Sequence, residues 1–359
     1  MNNGKNKEIS FKGQSFYIGI DVHKKQWYVT IRSNGMELKT FSMSPNPEEL
    51  SRYMERKYPW GKYHSVYEAG YCGFWIDRRL KEKEIINIVV NPADVPSIGK
   101  EKINKTDKID SRKLARELEN GTLKGIYIPS RFQQELRSLC RLRYTMVKEN
   151  VRIKNRIKGM MNFYGIELPP HSECYHWSGR FIKHLEEVRL EYKMGNDCVE
   201  MCLEELKERR EKLLRITKKL REAVRENNLE EEIKKLYSSV PGVGFITAIT
   251  LYTEIMDMSR FTNMEKLAGY VGLVPVIRSS GEKQTVLGLT IRNSKYLRGM
   301  LIESSWIAIK EDEAMYSYYC ELIKRMSKTR AIISVARKLL SRIRHVWMSN
   351  EEYVCGVII

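Results

Sequence analysis

The chain has 359 residues, 42% of them hydrophobic, enough for two domains with real cores and a connector. Its formal net charge of +18, with 30% charged residues, exceeds what solubility requires and favours a polyanionic partner, nucleic acid first. No apolar run approaches the ~18 residues of a membrane-spanning helix, and the opening MNNGKNKEIS lacks the apolar core of a signal peptide, so the expected place is the cytoplasm, with no membrane partner. Seven cysteines, an odd number spread over a large chain, exclude a disulfide framework and are expected to be reduced. Cys198 and Cys202, four apart on a predicted helix, have no His or third Cys nearby to complete a zinc set, and are expected as buried thiols.

The run FYIGID, Phe16 to Asp21, is apolar, β-branched and aromatic until it ends in an acid, which predicts a buried strand that delivers Asp21 to the edge of a sheet. Alternation at Trp27, Val29 and Ile31, a turn at Ser33-Asn34-Gly35, and a further run from Met36 to Phe41 extend it to a three-stranded meander. Asn46-Pro47 opens a helix with acids first and bases last, closed by Pro59-Trp60-Gly61. A fourth strand, His64 to Glu68, repeats the pattern of the first by ending in an acid. A helix from Phe74 to about Lys83 leads to a buried fifth strand, Ile85 to Val90. A basic loop, Lys100 to Lys108, then enters a capped helix that begins with Asp107 and Asp110, three apart and so on one face.

Pro129-Ser130 starts a long helix with a capping box from Ser130 to Gln133. Its apolar positions keep helical period, and Arg137, Arg141, Lys148, Arg152 and Arg156 fill other faces as candidate phosphate contacts. No assignment is made for 166–185; from about Cys198 to Leu236 an irregular leucine seam on a charged helix predicts a coiled-coil arm. Pro241-Gly242-Val243-Gly244 reads equally as a helix-hairpin-helix turn, whose amides at Gly242 and Gly244 take a phosphate, or as a tight turn packed through glycine. An irregular glycine-bearing stretch over 265–290, a helix from about Lys295 to Ile309 and a long basic helix from about Met315 to Met348, with Arg337 and Lys338, complete the chain.

Asp21, Glu68, Asp107 and Asp110 thus fall at the ends of successive elements, in the order of an RNase H-like domain. Four hard oxygen donors at one sheet edge suit magnesium, with manganese as substitute, and two ions ~4 Å apart would polarise a phosphodiester. A second candidate is RSSGEK, where Ser279 and Ser280 lie between Arg278 and Lys283, and Gly281 permits close approach of backbone to phosphate. Arg292 and Arg298 are candidate phosphate clamps.

Together YIGIDVHK, VYEAGYCGFW, KTDKIDSRKLA, PGVGFITAITLYTEI, LAGYVGLVPVIRSSGEK and ISVARKLL resemble the DEDD-type transposases of the bacterial insertion-sequence one-ten family, the bridge-RNA-guided recombinases. The match runs over nearly the whole chain, six weak motifs in order. The resemblance implies an α/β plus α architecture: an N-terminal RNase H-like (RuvC-like) mixed-sheet domain over 1–128, a basic helix and coiled-coil linker over 129–236, and a mainly helical transposase domain over 237–359. It implies metal acids at Asp21, Glu68, Asp107 and Asp110, a serine nucleophile at Ser280, a composite active site drawn from two domains, and action on the bacterial nucleoid. The implied partners are donor and target double-stranded DNA, a structured non-coding guide RNA, and further copies of the chain as a dimer or tetramer. One departure is the stretch Leu289-Thr290-Ile291-Arg292-Asn293-Ser294, where the family's usual Lys and Gly are replaced; Arg292 or Lys295 would supply the lost charge.

Two other readings remain open on the residues themselves. A RuvC-like nuclease or junction resolvase would use the four acids with water as nucleophile and leave Ser280 structural. A non-catalytic nucleic-acid-binding scaffold would need none of them.

Overall fold

A computed structural model describes residues 10–96, 106–280, 283–290 and 294–356, and for 276–280, 283–287 and 295 the backbone alone. The chain divides into two compact units, Met1–Ile128 and Pro129–Ile359.

The first unit opens with the expected meander, β1 (Ser15–Val22), β2 (Trp27–Ser33) and β3 (Met36–Met43). The β2–β3 turn places Asn34 at φ 51° and Gly35 at φ 78°, the pair of positive values that a tight hairpin with right-handed twist requires. α1 (Pro47–Lys57) starts at Asn46, whose side chain accepts from the amides of Glu48 and Glu49. β4 (Lys62–Glu68), α2 (Trp75–Glu82) and β5 (Ile86–Val90) follow, and α3 (Asp107–Glu119) begins at Thr106, whose hydroxyl accepts from Ile109 N. Most of the basic loop expected over 100–108 lies outside the described residues.

The strand order is β3-β2-β1-β4-β5, antiparallel on the β3 side of β1 and parallel on the other. This is a mixed sheet. One face is packed by Phe16, Ile18, Ile20, Trp27, Val29 and Ile31 with Leu50, Met54, Ile76 and Leu80 of α1 and α2. α3 lies on the other face, and Gly19 sets how near it comes. A Cβ there would sit 2.1 Å from Ser111 O and 2.4 Å from Ala115 N, so the helix reaches the sheet only over a bare α-carbon. The buried Ser111 hydroxyl, 2.9 Å from Thr30 Oγ1, pins the same contact. Gly19→Ala forces α3 outward and is expected to lower unfolding free energy by about 1–3 kcal/mol in urea titration, the usual cost of overpacking.

The second unit is mainly helical. α4 (Arg131–Phe163) carries the expected capping box, with Gln133 N donating to Ser130 Oγ at 3.1 Å and Ser130 N to Gln133 Oε1 at 3.0 Å. A short helix, α5 (Gly179–Glu187), occupies part of the stretch left unassigned. α6 (Lys193–Glu226) runs antiparallel to α4, since Arg143, Glu149 and Arg156 meet Thr217, Arg209 and Glu205 in descending order. The single helix expected to Leu236 is broken at Asn227-Asn228, where Asn228 takes φ 55°, and α7 (Glu230–Ser239) resumes. Cys198 is exposed and Cys202 half-buried, which corrects the expectation of buried thiols: the seam of α6 runs through Val199, Leu203 and Leu206, one step round the helix.

α8 (Phe245–Ile255) and α9 (Met264–Val271) precede a hairpin of β6 (Pro275–Ser280) and β7 (Lys283–Leu289), then α10 (Lys295–Glu311), α11 (Glu313–Ile323) and α12 (Lys328–Ser349). The irregular stretch expected over 265–290 is therefore a helix and a hairpin. The last long helix is two, separated at Lys324–Ser327 with no Gly or Pro to mark the break. Among the described residues no helix is long and apolar enough to cross a membrane.

Candidate metal centre and nucleic-acid faces

Asp21 and Glu68 reach the same edge because β1 and β4 are parallel neighbours in register, Ile20 beside Tyr67, so both strands end there with their acids. α3 crosses at Gly19 with its N-terminus at that edge, which brings Asp107 and Asp110 into the group; acids in a first turn also suit the helix dipole. Asp21, His23 and Asp107 offer ligand atoms all within 4.8 Å of one another. His23 Nε2 lies 3.1 Å from Asp21 Oδ2 and 3.5 Å from Asp107 Oδ1. Lys113, only 8% exposed, places its ammonium 3.4 Å from Asp110 Oδ1 and 3.8 Å from Glu68 Oε1.

Burial raises the Asp21 carboxyl above its usual range, and the charges of Asp107 and Asp110 raise it further, against the opposing pull of His23. Carboxylates crowded at a half-buried edge favour a cation among them. The donor set, carboxylate oxygens with one imidazole nitrogen, fits a divalent metal. His23 and Lys113 were not singled out from sequence. The signals were there: a His two residues past a strand-terminal acid, and a Lys three residues past Asp110 on a helix.

The candidate nucleophile is the last residue of β6. Ser280 is in register with Lys283, Ser279 with Gln284 and Arg278 with Thr285, so the serines end one arm of a tight hairpin. Gly281 and Arg292 lie outside the described residues.

The basic residues predicted to meet phosphate divide by their partners. Arg137 donates to Thr253 O at 3.0 Å, and Arg141 grips the buried Glu254 through Nε and Nη2 at 2.6 and 2.7 Å. Arg156 pairs with Glu205 at 3.3 Å, Arg337 with Glu265 at 2.7 Å, and Arg298 donates to Thr290 O at 3.1 Å. The ammoniums of Lys148 and Lys338 sit over the rings of Tyr144 and Tyr318 at 4.5 and 4.0 Å. Arg152 is exposed, with no protein partner among the described residues. At Pro241-Gly242, a Cβ on Gly242 would lie 2.1 Å from Ser304 O, and the Gly242 amide donates to Glu311 Oε2 at 3.2 Å. There the turn packs through glycine onto α10 and already holds a carboxylate; Gly244 caps α8 with nothing within 4 Å of a built Cβ.

Two family models match. A DEDD-type transposase model covers residues 18–166, which include all four acids, and a model described as "Transposase IS116/IS110/IS902 family" covers 234–320, which include both serines. The chain is 27% identical to the transposase for insertion sequence element IS1111A of Coxiella burnetii, over 71% of this chain and 70% of that one. It is 26% identical to the putative transposase y4rJ of Sinorhizobium fredii over 91% and 90%, and 25% identical to y4qE of the same organism over 81% and 71%. With a mixed sheet that ends its central strands in acids, a mainly helical second unit and these matches, the chain belongs to the IS110 family of DEDD-type transposases, enzymes that cut and rejoin DNA.

Proposed function

We propose that this transposase cuts and rejoins donor and target double-stranded DNA under the direction of a structured non-coding RNA, with Asp21, Glu68, Asp107 and Asp110 as metal-binding acids and Ser280 as nucleophile. The observation that carries the metal part is the meeting of Asp21, His23 and Asp107 within 4.8 Å at the sheet edge, beside Asp110. Magnesium bound there would polarise a phosphodiester oxygen and stabilise charge that develops at phosphorus. Asp21 and Asp107 supply its oxygens, and His23 between them fixes their orientation. Lys113 holds Glu68 and Asp110 toward the same edge.

Ser280 divides the reaction into two transfers. Its hydroxyl oxygen attacks phosphorus, the proton leaves to a base, and one strand end departs as a hydroxyl, leaving a seryl phosphodiester. A hydroxyl of the new partner strand then attacks that phosphorus and releases the serine. The number of phosphoester bonds is conserved, so rejoining needs no external energy source. We infer a dimer or tetramer, because two DNAs must be held together, acting on the bacterial nucleoid in the cytoplasm.

The test is to trap the intermediate on DNA bearing the element's ends, with and without RNA transcribed from the flanking segment, and to map the DNA-linked peptide. The adduct is expected on Ser280, to depend on the RNA, and to vanish in Ser280→Ala. If Ser280→Ala and Ser279→Ala both cut at the parent rate with no adduct, water is the nucleophile. If cutting is the same without RNA, guidance is wrong.

A further inference from the structure

The far end of the α4–α6 pair carries a group of residues that the proposed reaction does not use. Lys154 and Lys158 place their ammoniums 5.5 and 5.8 Å from the centre of the Trp177 ring, and Arg210 donates to the Trp177 carbonyl. The three cations are close enough that Arg210 and Lys158, after burial, hold Lys154 below the usual lysine range. Among the described residues no carboxylate lies within ion-pairing distance of any of them. Elsewhere in the same helix pair Arg156, Arg209 and Lys207 all have glutamate partners, so this gap in compensation is local.

Aromatic rings continue the patch. Lys158 donates to His176 Nδ1 at 2.9 Å while His176 Nε2 donates to Pro169 O at 3.0 Å, which sets the imidazole as its neutral Nε2–H form. His171 stands edge-on to His176 at 5.4 Å and edge-on to Tyr175 at 4.9 Å. The Tyr175 ring projects into solvent at 74% exposure. Trp177 itself is held at φ 69°, a left-handed conformation that is strained for a bulky residue and persists when surrounding contacts impose it. Uncompensated cations of α4 and α6, an exposed aromatic ring and imposed backbone strain thus meet at the loop before α5.

We propose that Lys154, Lys158 and Arg210, with His171, Tyr175 and Trp177, bind an unpaired nucleotide of a single-stranded nucleic acid, the three cations taking its phosphate and Tyr175 stacking on its base. Stacking asks for a ring with an open face, which Tyr175 provides; a base inside a duplex has no free face to offer it. Phosphate supplies the charge that the cation group lacks. The site uses residues of the second unit alone and does not depend on the roles proposed for the acids of the first. RNA and DNA share this chemistry, and the probe decides between them.

The experiment measures anisotropy of labelled short oligo(U), oligo(dT) and duplex DNA with the full-length protein over a range of salt. Tyr175→Ala removes an exposed ring, so the fold is kept, and it is expected to weaken single-strand binding by roughly 5- to 100-fold, with duplex affinity unchanged and Tyr175→Phe restoring the parent value. Lys154→Ala with Lys158→Ala is expected to lower the single-strand salt slope by about 0.7, one phosphate contact's worth. Tighter binding of oligo(U) identifies RNA as the source and tighter binding of oligo(dT) identifies DNA. Single-strand affinity and slope unchanged in both variants overturns the proposal. So does a loss of self-association in sedimentation with oligonucleotide binding intact, which would make the patch an interface between copies.

Discussion

Asp21→Asn is expected to slow divalent-dependent strand cleavage by about a thousand-fold, equivalent to ~4 kcal/mol of transition-state stabilisation, and at the same time to raise the melting temperature of the metal-free protein. The two effects have one cause. Asp21, the last residue but one of β1, lies partly buried near Asp107 and Asp110, and burial first, then their charges, lift its carboxyl above the usual range against the pull of His23. At neutral pH the folded chain therefore bears a cost at the Asp21 carboxyl that the unfolded chain does not, and an amide removes that cost. A bound cation removes it too. The parent protein is accordingly expected to gain ~2.7 kcal/mol at a metal concentration a hundred times the dissociation constant, and Asp21→Asn to lose most of that gain. Thermal melts with and without a divalent salt, beside a cleavage assay, read all three effects. Equal metal-induced shifts in parent and variant would remove Asp21 from the site.

The second large effect lies in the helical unit. Glu254 on α8 is 1% exposed and accepts two hydrogen bonds from Arg141, with Arg137 Nε 3.9 Å from its Oε2 and Tyr270 Oη donating to its backbone carbonyl at 2.7 Å. Glu254→Ala leaves Arg137, with 17% of its side chain exposed, without its anion, and is expected to cost roughly 3–5 kcal/mol in urea unfolding. The same network separates structural from phosphate-binding arginines. Arg141→Ala should lower stability and leave the salt slope of DNA binding as it was. Arg152→Ala should leave stability alone and lower that slope by about 0.9 if this exposed guanidinium meets a phosphate. A slope change in Arg141→Ala without loss of stability would return that residue to the nucleic-acid face.

Elements of the first unit were legible because its strands are short apolar runs ended by turn residues, and its helices carry caps at Asn46 and Thr106. The position of the acids was legible for the same reason, since Asp21 and Glu68 fall where an apolar run stops and Asp107 and Asp110 where a capped helix starts. In the second unit the signals fail at particular places. The hairpin of β6 and β7 is hidden in a glycine-bearing stretch with no clean alternation, and the break between α11 and α12 has neither Gly nor Pro to mark it.

Local pattern thus determined which residues form strands and helices, and hence that Asp21, Glu68, Asp107 and Asp110 stand at element ends, because periodicity and capping act over a few residues. Which groups share those ends was decided by tertiary structure. The parallel pairing of β1 with β4 joins residues about fifty positions apart and the approach of α3 over Gly19 residues about ninety apart, and only that packing puts His23 between Asp21 and Asp107 and Lys113 between Glu68 and Asp110. Likewise a count of arginines along α4 records charge, whereas whether a guanidinium faces phosphate or a buried glutamate depends on what α8 brings across to it.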